Sequence, residues 1–511
     1  MSSTPNRPIP SVRIRSWAFV WVVLLALSTL IFLHHRETGW NVNTRLALVI
    51  SIVEFHTFSI DGLHDSPEYY TMDKAYFQES FYSDKIFGVS LLALPFYWLF
   101  FHVGGLFGWV PSAGQINYLL TLVAVKFPAA LSVGLLWRIG CQYGLSPRLS
   151  AGVALGCFVG SLWHGYASIF MPYAPGIAAC LAALYLLLFP MGERITPFIS
   201  ILIGLFTGFA LLCDLIFVIA VFLIGMLFLL RISWEHGWFS KALQGECNPE
   251  PALRPTLWCV PTVIAAGLVF PALFMAYSTA IFGTPTIPYQ YEYLEEFRVN
   301  MAQGIMGVKT PRLSVIYYLT IHPFRGLFFW SPWIVLALYG GVQALASRNQ
   351  RRRSAGGLVV FGFIGYLLFN SGYYMWWGGF GMGPRLMLPA FVFLPLGLFV
   401  FLQQPTNLRV GLVVAALCVS IGANFPVSIL EPQIPVGGNS SELLYAVQIG
   451  DSVQVPQFVY WRGFFILLWE TLKANPDVNR VLAARFIATL VFSVVCVFGV
   501  IFSTREPEFK N

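Results

Sequence analysis

The chain has 511 residues and a formal net charge of +7, and it is 57% hydrophobic but only 10% charged. Soluble domains carry about a quarter charged residues, so a soluble globular enzyme is excluded. The apolar residues gather in continuous runs of roughly 16–24 residues, long enough at about 1.5 Å per residue to cross a hydrocarbon layer about 30 Å thick, and their continuity argues against a β-barrel.

Thirteen apolar runs are predicted, near residues 17–33, 86–107, 116–137, 150–167, 173–190, 197–213, 215–230, 257–282, 329–346, 357–371, 387–402, 408–426 and 484–503. The first, WAFVWVVLLALSTLIFL, follows Arg7, Arg13 and Arg15 and has no clear small-residue cleavage site. It reads as a retained span, not a signal peptide. Arg348 and Arg351–Arg353 crowd one short connection, which reads as a topology signal on the cytoplasmic side, not a nucleic-acid patch. If all thirteen runs cross from a cytoplasmic N-terminus, that connection lands outside. Demoting 86–107 to a helix on the outer interface removes the conflict. Twelve spans, both termini in the cytoplasm and three long outer segments (34–115, 283–328 and 427–483) are therefore expected. The eight cysteines form no CxxC or Cys/His cluster and read as small buried hydrophobes. No metal-ligand spacing, Walker loop or soluble domain is visible.

The first outer loop opens with TRLALVISIVEFHTF, where Leu46, Val49, Ile50 and Val53 fall at helical spacing, as in an amphipathic helix on the membrane surface. A polar stretch with Asp61, Asp65, Glu68 and Asp73 follows, then FYSDKIFG. These acids read either as solvated loop charge or as site residues. Two stand out. Asp73 and Asp84 each precede a lysine and sit among aromatics. Membrane anchoring accounts for Tyr82 and Lys85. It accounts less well for Asp84, because an acid beside apolar material is costly unless paired or used.

Two more constellations lie farther along. YYMWWGGFGMGPRLMLP places Trp376 and Trp377, four glycines and Arg385 between two apolar runs. The glycines permit close backbone approach, and an Arg at a helix N-terminus suits an anion such as phosphate, unless it is an interfacial Arg snorkelling from a span. Tyr289, Tyr291, Glu292, Arg312 and Arg325 occupy the outer segment before the 329–346 run, and Asp214 interrupts GFALLCDLIF. Asp214 is a functional candidate or a helix cap. Acids (Asp61, Asp73, Asp84, Asp214), bases (Lys85, Arg325, Arg385) and aromatics near lipid are the mixture that a lipid-linked phosphate substrate requires.

TRLALVISIVEFHTFSID, MDKAYF with FYSDKIFGVSLLALP, GLFTGFALLCD, and PFRGLFFWSPW with WWGGFGMGPRLMLPA together resemble the GT-C superfamily of polytopic glycosyltransferases. The resemblance is to bacterial relatives of protein O-mannosyltransferases and aminoarabinose transferases. It implies an all-α polytopic membrane protein with about 12 transmembrane helices plus interfacial helices in the first outer loop. Residues 1–430 would form the catalytic module, with outer loop 34–115, and 431–511 a further outer segment, a last span and a tail. It implies transfer of a sugar from a polyprenyl-phosphate donor to a glycan, lipid or protein acceptor on the extracytoplasmic side of a bacterial inner membrane, with inversion and no cofactor. Family members open the first interfacial helix with a catalytic Asp; Asn41–Arg45 stands there in this chain. The base role moves to Asp73, with Asp84 close behind. Lys85 takes the phosphate, and Arg385, Asp214, Arg325, Trp377 and Tyr82 complete the expected substrate site. A lipid or glycolipid transporter without chemistry is the competing reading. The unequal outer loops and the lack of a convincing repeat between halves favour the enzyme.

Overall fold

The structure is a computed structural model that describes residues 16–33, 39–190, 194–235, 258–379, 381–430, 447–449, 452–454 and 491–504. Arg7, Arg13, Arg15, the 236–257 connection and most of 431–511 lie outside the described residues. The chain is a helical polytopic membrane protein. Among the described residues, six helices are long and apolar enough to cross a membrane, and six further apolar helices are 10–17 residues long.

The helices run α1 (Ser16–Ser28), α2 (Trp40–Glu54), α3 (Gly88–Leu106), α4 (Ala113–Thr121), α5 (Phe127–Gln142), α6 (Pro147–Val159), α7 (Leu162–Tyr166), α8 (Tyr173–Leu188), α9 (Pro197–Cys213) and α10 (Val218–Glu235). They continue as α11 (Cys259–Phe282), α12 (Glu295–Met301), α13 (Leu313–Thr320), α14 (Leu327–Trp330), α15 (Trp333–Leu345), α16 (Gln350–Gly372), α17 (Leu394–Phe401) and α18 (Asn407–Leu430). Local signals set many boundaries. Ser146 and Thr196 cap α6 and α9 with a proline at the first helical turn, and Ser112 with Gln115 forms a capping box on α4. Asp214 ends α9 in extended backbone, and its carboxylate accepts the Ile216 N–H to start the short turn before α10. That one residue splits two otherwise contiguous apolar runs. α4 and α5 form one continuous rod through a π-helical turn, Leu122–Lys126.

One expected run behaves differently from the hydropathy reading. The 387–402 run is not one helix. A 3₁₀ helix over Arg385–Val392 passes into α17, with Pro389 inside the first and a proline in the first turn of the second. Proline removes an amide donor and clashes with the preceding turn, and here two prolines accompany the break, whereas the single Pro95 is carried within α3. The 86–107 run, expected to lie along the interface, forms the continuous 19-residue α3.

Small residues let the helices approach closely. α9 packs along α11, and α15 along α17. A Cβ on Gly397 would lie 1.9 Å from the Ala337 carbonyl oxygen. The contact that positions the outer loop is at Gly88, the first residue of α3, where a Cβ would lie 2.4 Å from the Leu212 carbonyl oxygen near the end of α9. This joint sets Asp84 and Lys85, just upstream, against the segment that leads to Asp214. Six of the seven described cysteines are buried, in keeping with their reading as small hydrophobes.

Gly88→Ala is expected to destabilise the protein by about 1–3 kcal/mol, the usual cost of overpacking. Gly105→Ala, with no atom within 4 Å of the added methyl, is the control. Thermal unfolding of the two variants in detergent should separate them, and equal midpoints would refute the joint.

Candidate active site

The site is organised by a hairpin that hydropathy does not reveal. β1 (Ala75–Phe77) pairs antiparallel with β2 (Ser80–Tyr82), Ala75 facing Tyr82 and Phe77 facing Ser80. Gln78 and Glu79 make the two-residue turn with φ of 48° and 65°, the conformation that a tight hairpin turn requires. Extending the register two places brings Asp73 opposite Asp84. The two Asp-Lys pairs, eleven residues apart in sequence, therefore meet at the open end of one hairpin.

Lys85 Nζ stands 3.2 Å from Asp73 Oδ2 and also donates to Asp84 Oδ2. The Asp84 side chain is 0% exposed, and those of Lys85 and Asp73 are each 12% exposed. Burial penalises the Lys85 ammonium, but Asp73 and Asp84 outweigh that cost and hold its pKa well above the usual lysine value. Lys85 is therefore charged. Asp73 also accepts from Asn41 Nδ2 at 3.4 Å, and the buried Arg45 donates to the Asn41 backbone carbonyl at 2.8 Å and to its side-chain oxygen. The residue at the position of the expected family acid thus orients the acid that the hairpin supplies. Lys74 turns the other way: its Nζ bonds His64 Nδ1 at 2.8 Å and Asp65 at 3.3 Å, between the rings of Phe81 and Tyr293.

A second outer segment closes on the first. Ala75 bridges to Glu292, and the Tyr293 N–H donates to the Lys74 carbonyl at 2.8 Å. This places Glu292, 2% exposed, beside Asp84 and Lys85. Glu292 stands in the expected constellation of the 283–328 segment, with no role assigned to it in the expected substrate site. Its only sequence signal is one acid inside the aromatic stretch PYQYEY.

The third part is the glycine turn. Gly378, Gly379 and Gly383 have φ of 79°, 69° and 55°, and a Cβ on Gly378 would lie 2.9 Å from Arg385 Cγ. Only glycine gives both the left-handed backbone and the space. The two arginines divide the work. Arg325 is fully buried and donates to the carbonyls of Gly381 and, at 3.2 Å, Gly379, clamping the turn. Arg385 makes no ion pair among the described residues, its Nε has no acceptor, and it lies within electrostatic range of Asp73, Tyr166 and Tyr173.

The remaining expected residues lie around this centre. Asp214 caps the turn after α9 and acts electrostatically on Tyr289, which also senses Lys85, Asp84 and Glu292. Trp377 is half-buried against Trp376, at 6.1 Å between ring centroids. Tyr82 belongs to the aromatic packing under the hairpin, 5.9 Å from Phe282. Asp61 is exposed and accepts the Phe81 N–H at 2.6 Å, fastening the hairpin from outside. Next to the acids, Tyr289 also lines a cavity of about 490 Å³ with Met275, Ile287, Gln290, Arg298 and Met306.

Among solved structures, the chain is similar to ArnT from Cupriavidus metallidurans bound to undecaprenyl phosphate. The identity is 12%, the TM-score 0.46, and the match covers 95% of this chain and 75% of that one. No family model and no curated protein matches the chain.

Arg325→Ala removes two donors from buried carbonyls, each worth about 1–3 kcal/mol when left unpaired. The variant is expected to lower the unfolding midpoint in detergent and to open the 378–383 turn to limited proteolysis. Unchanged cleavage would show that the turn holds without its clamp.

Proposed function

We propose that the protein is a membrane glycosyltransferase that moves a sugar from a polyprenyl-phosphate donor to an acceptor hydroxyl on the extracytoplasmic side, by a single inverting displacement. The observation that carries this reading is Lys85 Nζ 3.2 Å from Asp73, with Arg385 within electrostatic range of the same carboxylate. Two cations around one nearly buried carboxylate supply the groups that a phosphate and a base require. The motif resemblance to GT-C enzymes points to the same chemistry.

In this reading the polyprenyl chain stays in the bilayer and its phosphate meets Lys85 and Arg385. The acceptor oxygen attacks C1 of the sugar from the face opposite the phosphate. Asp73 takes the acceptor proton as the new C1–O bond forms. The bond between C1 and the phosphate oxygen breaks, and the electron pair leaves with the polyprenyl phosphate, whose added charge the two cations stabilise. Asn41, held by Arg45, keeps Asp73 turned toward the acceptor. Arg325 acts through the glycine turn as a positioning residue. Asp214, Trp377 and Tyr82 shape the surrounding wall.

The test is transfer from labelled undecaprenyl-phosphate sugars to membrane extracts by purified protein. Asp73→Asn keeps the shape of the side chain and is expected to lower turnover about 100-fold or more. Arg385→Gln breaks no ion pair, should fold normally, and is expected to raise the donor KM about 10-fold or more through the lost charge-assisted contacts. Turnover unaffected by Asp73→Asn would eliminate the assigned base. Donor binding without transfer in the wild type would leave a lipid-phosphate binder or transporter in place of the enzyme.

A further inference from the structure

Asp84 Oδ1 and Glu292 Oε2 are both buried, and neither receives an N–H or O–H donor among the described residues. The two side chains are neighbours that perturb each other's ionisation beside Lys85. Two carboxylates cannot hydrogen-bond to each other, since each would offer only acceptors. A single proton between them satisfies both oxygens. We propose that Asp84 and Glu292 form a carboxyl–carboxylate pair that holds one proton, carried by Glu292, and one negative charge, carried by Asp84 beside Lys85, and that Glu292 is thereby a positioning residue of the phosphate site.

Three independent features support the assignment. The Glu292 backbone is fixed beside the hairpin through the bridge to Ala75 and the Tyr293 to Lys74 bond, and its side chain is buried there away from solvent. Lys85 donates to Asp84 Oδ2, which fixes the charge on Asp84 and leaves the proton to its partner. Burial, reinforced by the charge on Asp84, pushes the Glu292 carboxyl up to about 11, and burial together with Asp73 also raises Asp84 against the pull of Lys85. Asp73, Lys85, Tyr289 and Tyr374 also lie near the pair, Arg298 donates to the Glu292 backbone carbonyl at 3.4 Å, and Asp214 lies beyond Tyr289.

Charge balance gives the pair a role. With every carboxylate ionised, Asp73, Asp84 and Glu292 would set three negative charges against Lys85 and Arg385, and an incoming phosphate would be repelled. With one proton held on Glu292 the four remaining charges cancel, and the two cations can turn to a phosphate without leaving a net negative wall behind them. The neutral Glu292 also donates to Asp84, which keeps Asp84 in place as the partner of Lys85. The pair stands on the geometry alone; its consequence for phosphate rests on the proposed transferase reading.

Infrared spectroscopy of the purified full-length protein at pH 8 tests the pair directly. A protonated-carboxyl C=O band, shifted in D₂O, is expected in the wild type. It should disappear in Glu292→Gln, and also in Asp84→Asn, where Glu292 ionises beside Lys85. Absence of the band in the wild type, or its survival in both variants, overturns the pair. Binding of undecaprenyl phosphate is the second readout. Glu292→Leu is expected to weaken it about 10-fold or more, and Glu292→Gln, which still donates, to recover most of that loss. Equal loss in both would mean that the ionised carboxylate is what the site uses. If the band behaves as expected but Arg385→Gln leaves lipid binding unchanged, the pair stands and the phosphate reading fails.

Discussion

The site depends on one buried ammonium. Lys85 is held between Asp73 and Asp84 in surroundings where an isolated charge would be too costly to keep. Removing either side of such an arrangement leaves an uncompensated ion, so the elements that deliver the three groups are tied to one another. The hairpin register delivers Asp73 and Asp84. The Gly88–Leu212 contact holds the strand exit against α9. The 288–293 segment closes the other side and adds a carboxyl that makes sense beside those charges only when it is neutral.

A second division runs through the arginines. Arg325, Arg385 and Arg45 all belong to the segments that build the site, yet the protein uses them differently. Arg325 and Arg45 donate to carbonyls and to Asn41, and so act as fixed parts of the scaffold. Arg385 is threaded past Gly378 with no protein anion bonded to it among the described residues. An arginine supported along its stem and unpaired at its head is pre-organised for an anionic ligand, because little side-chain freedom remains to be lost on binding.

The helical plan follows closely from hydropathy where apolar runs carry clear punctuation. Pro197 with Thr196 before it and Asp214 after it bracket α9 at the residues expected. The plan departs where punctuation lies inside a run. Pro389 and Pro395 break the 387–402 segment into a 3₁₀ helix and a short α-helix, while Pro95 leaves α3 continuous. A proline's effect on a helix depends on whether neighbouring segments re-satisfy the freed carbonyl, and hydropathy carries no information about neighbours.

By itself the sequence determined the class, the run-by-run helical order, and the unusual cost of an acid and a lysine beside an apolar helix. Those are properties of composition and local spacing. Pairing was decided by tertiary structure. Asp73 and Lys85 are twelve residues apart, and only a two-residue turn at Gln78–Glu79, formed without the glycine or asparagine that usually marks one, brings them together. Glu292 lies more than two hundred residues from Asp84 and carries no periodic signal; a backbone bridge between two outer loops places it there. Which arginine is locked and which is open was likewise settled by carbonyls of a glycine turn remote from Arg325 in the chain. Local preference sets where charge can occur in an apolar chain, but the partners that make buried charge tolerable come from contacts between distant segments, and those contacts define the site.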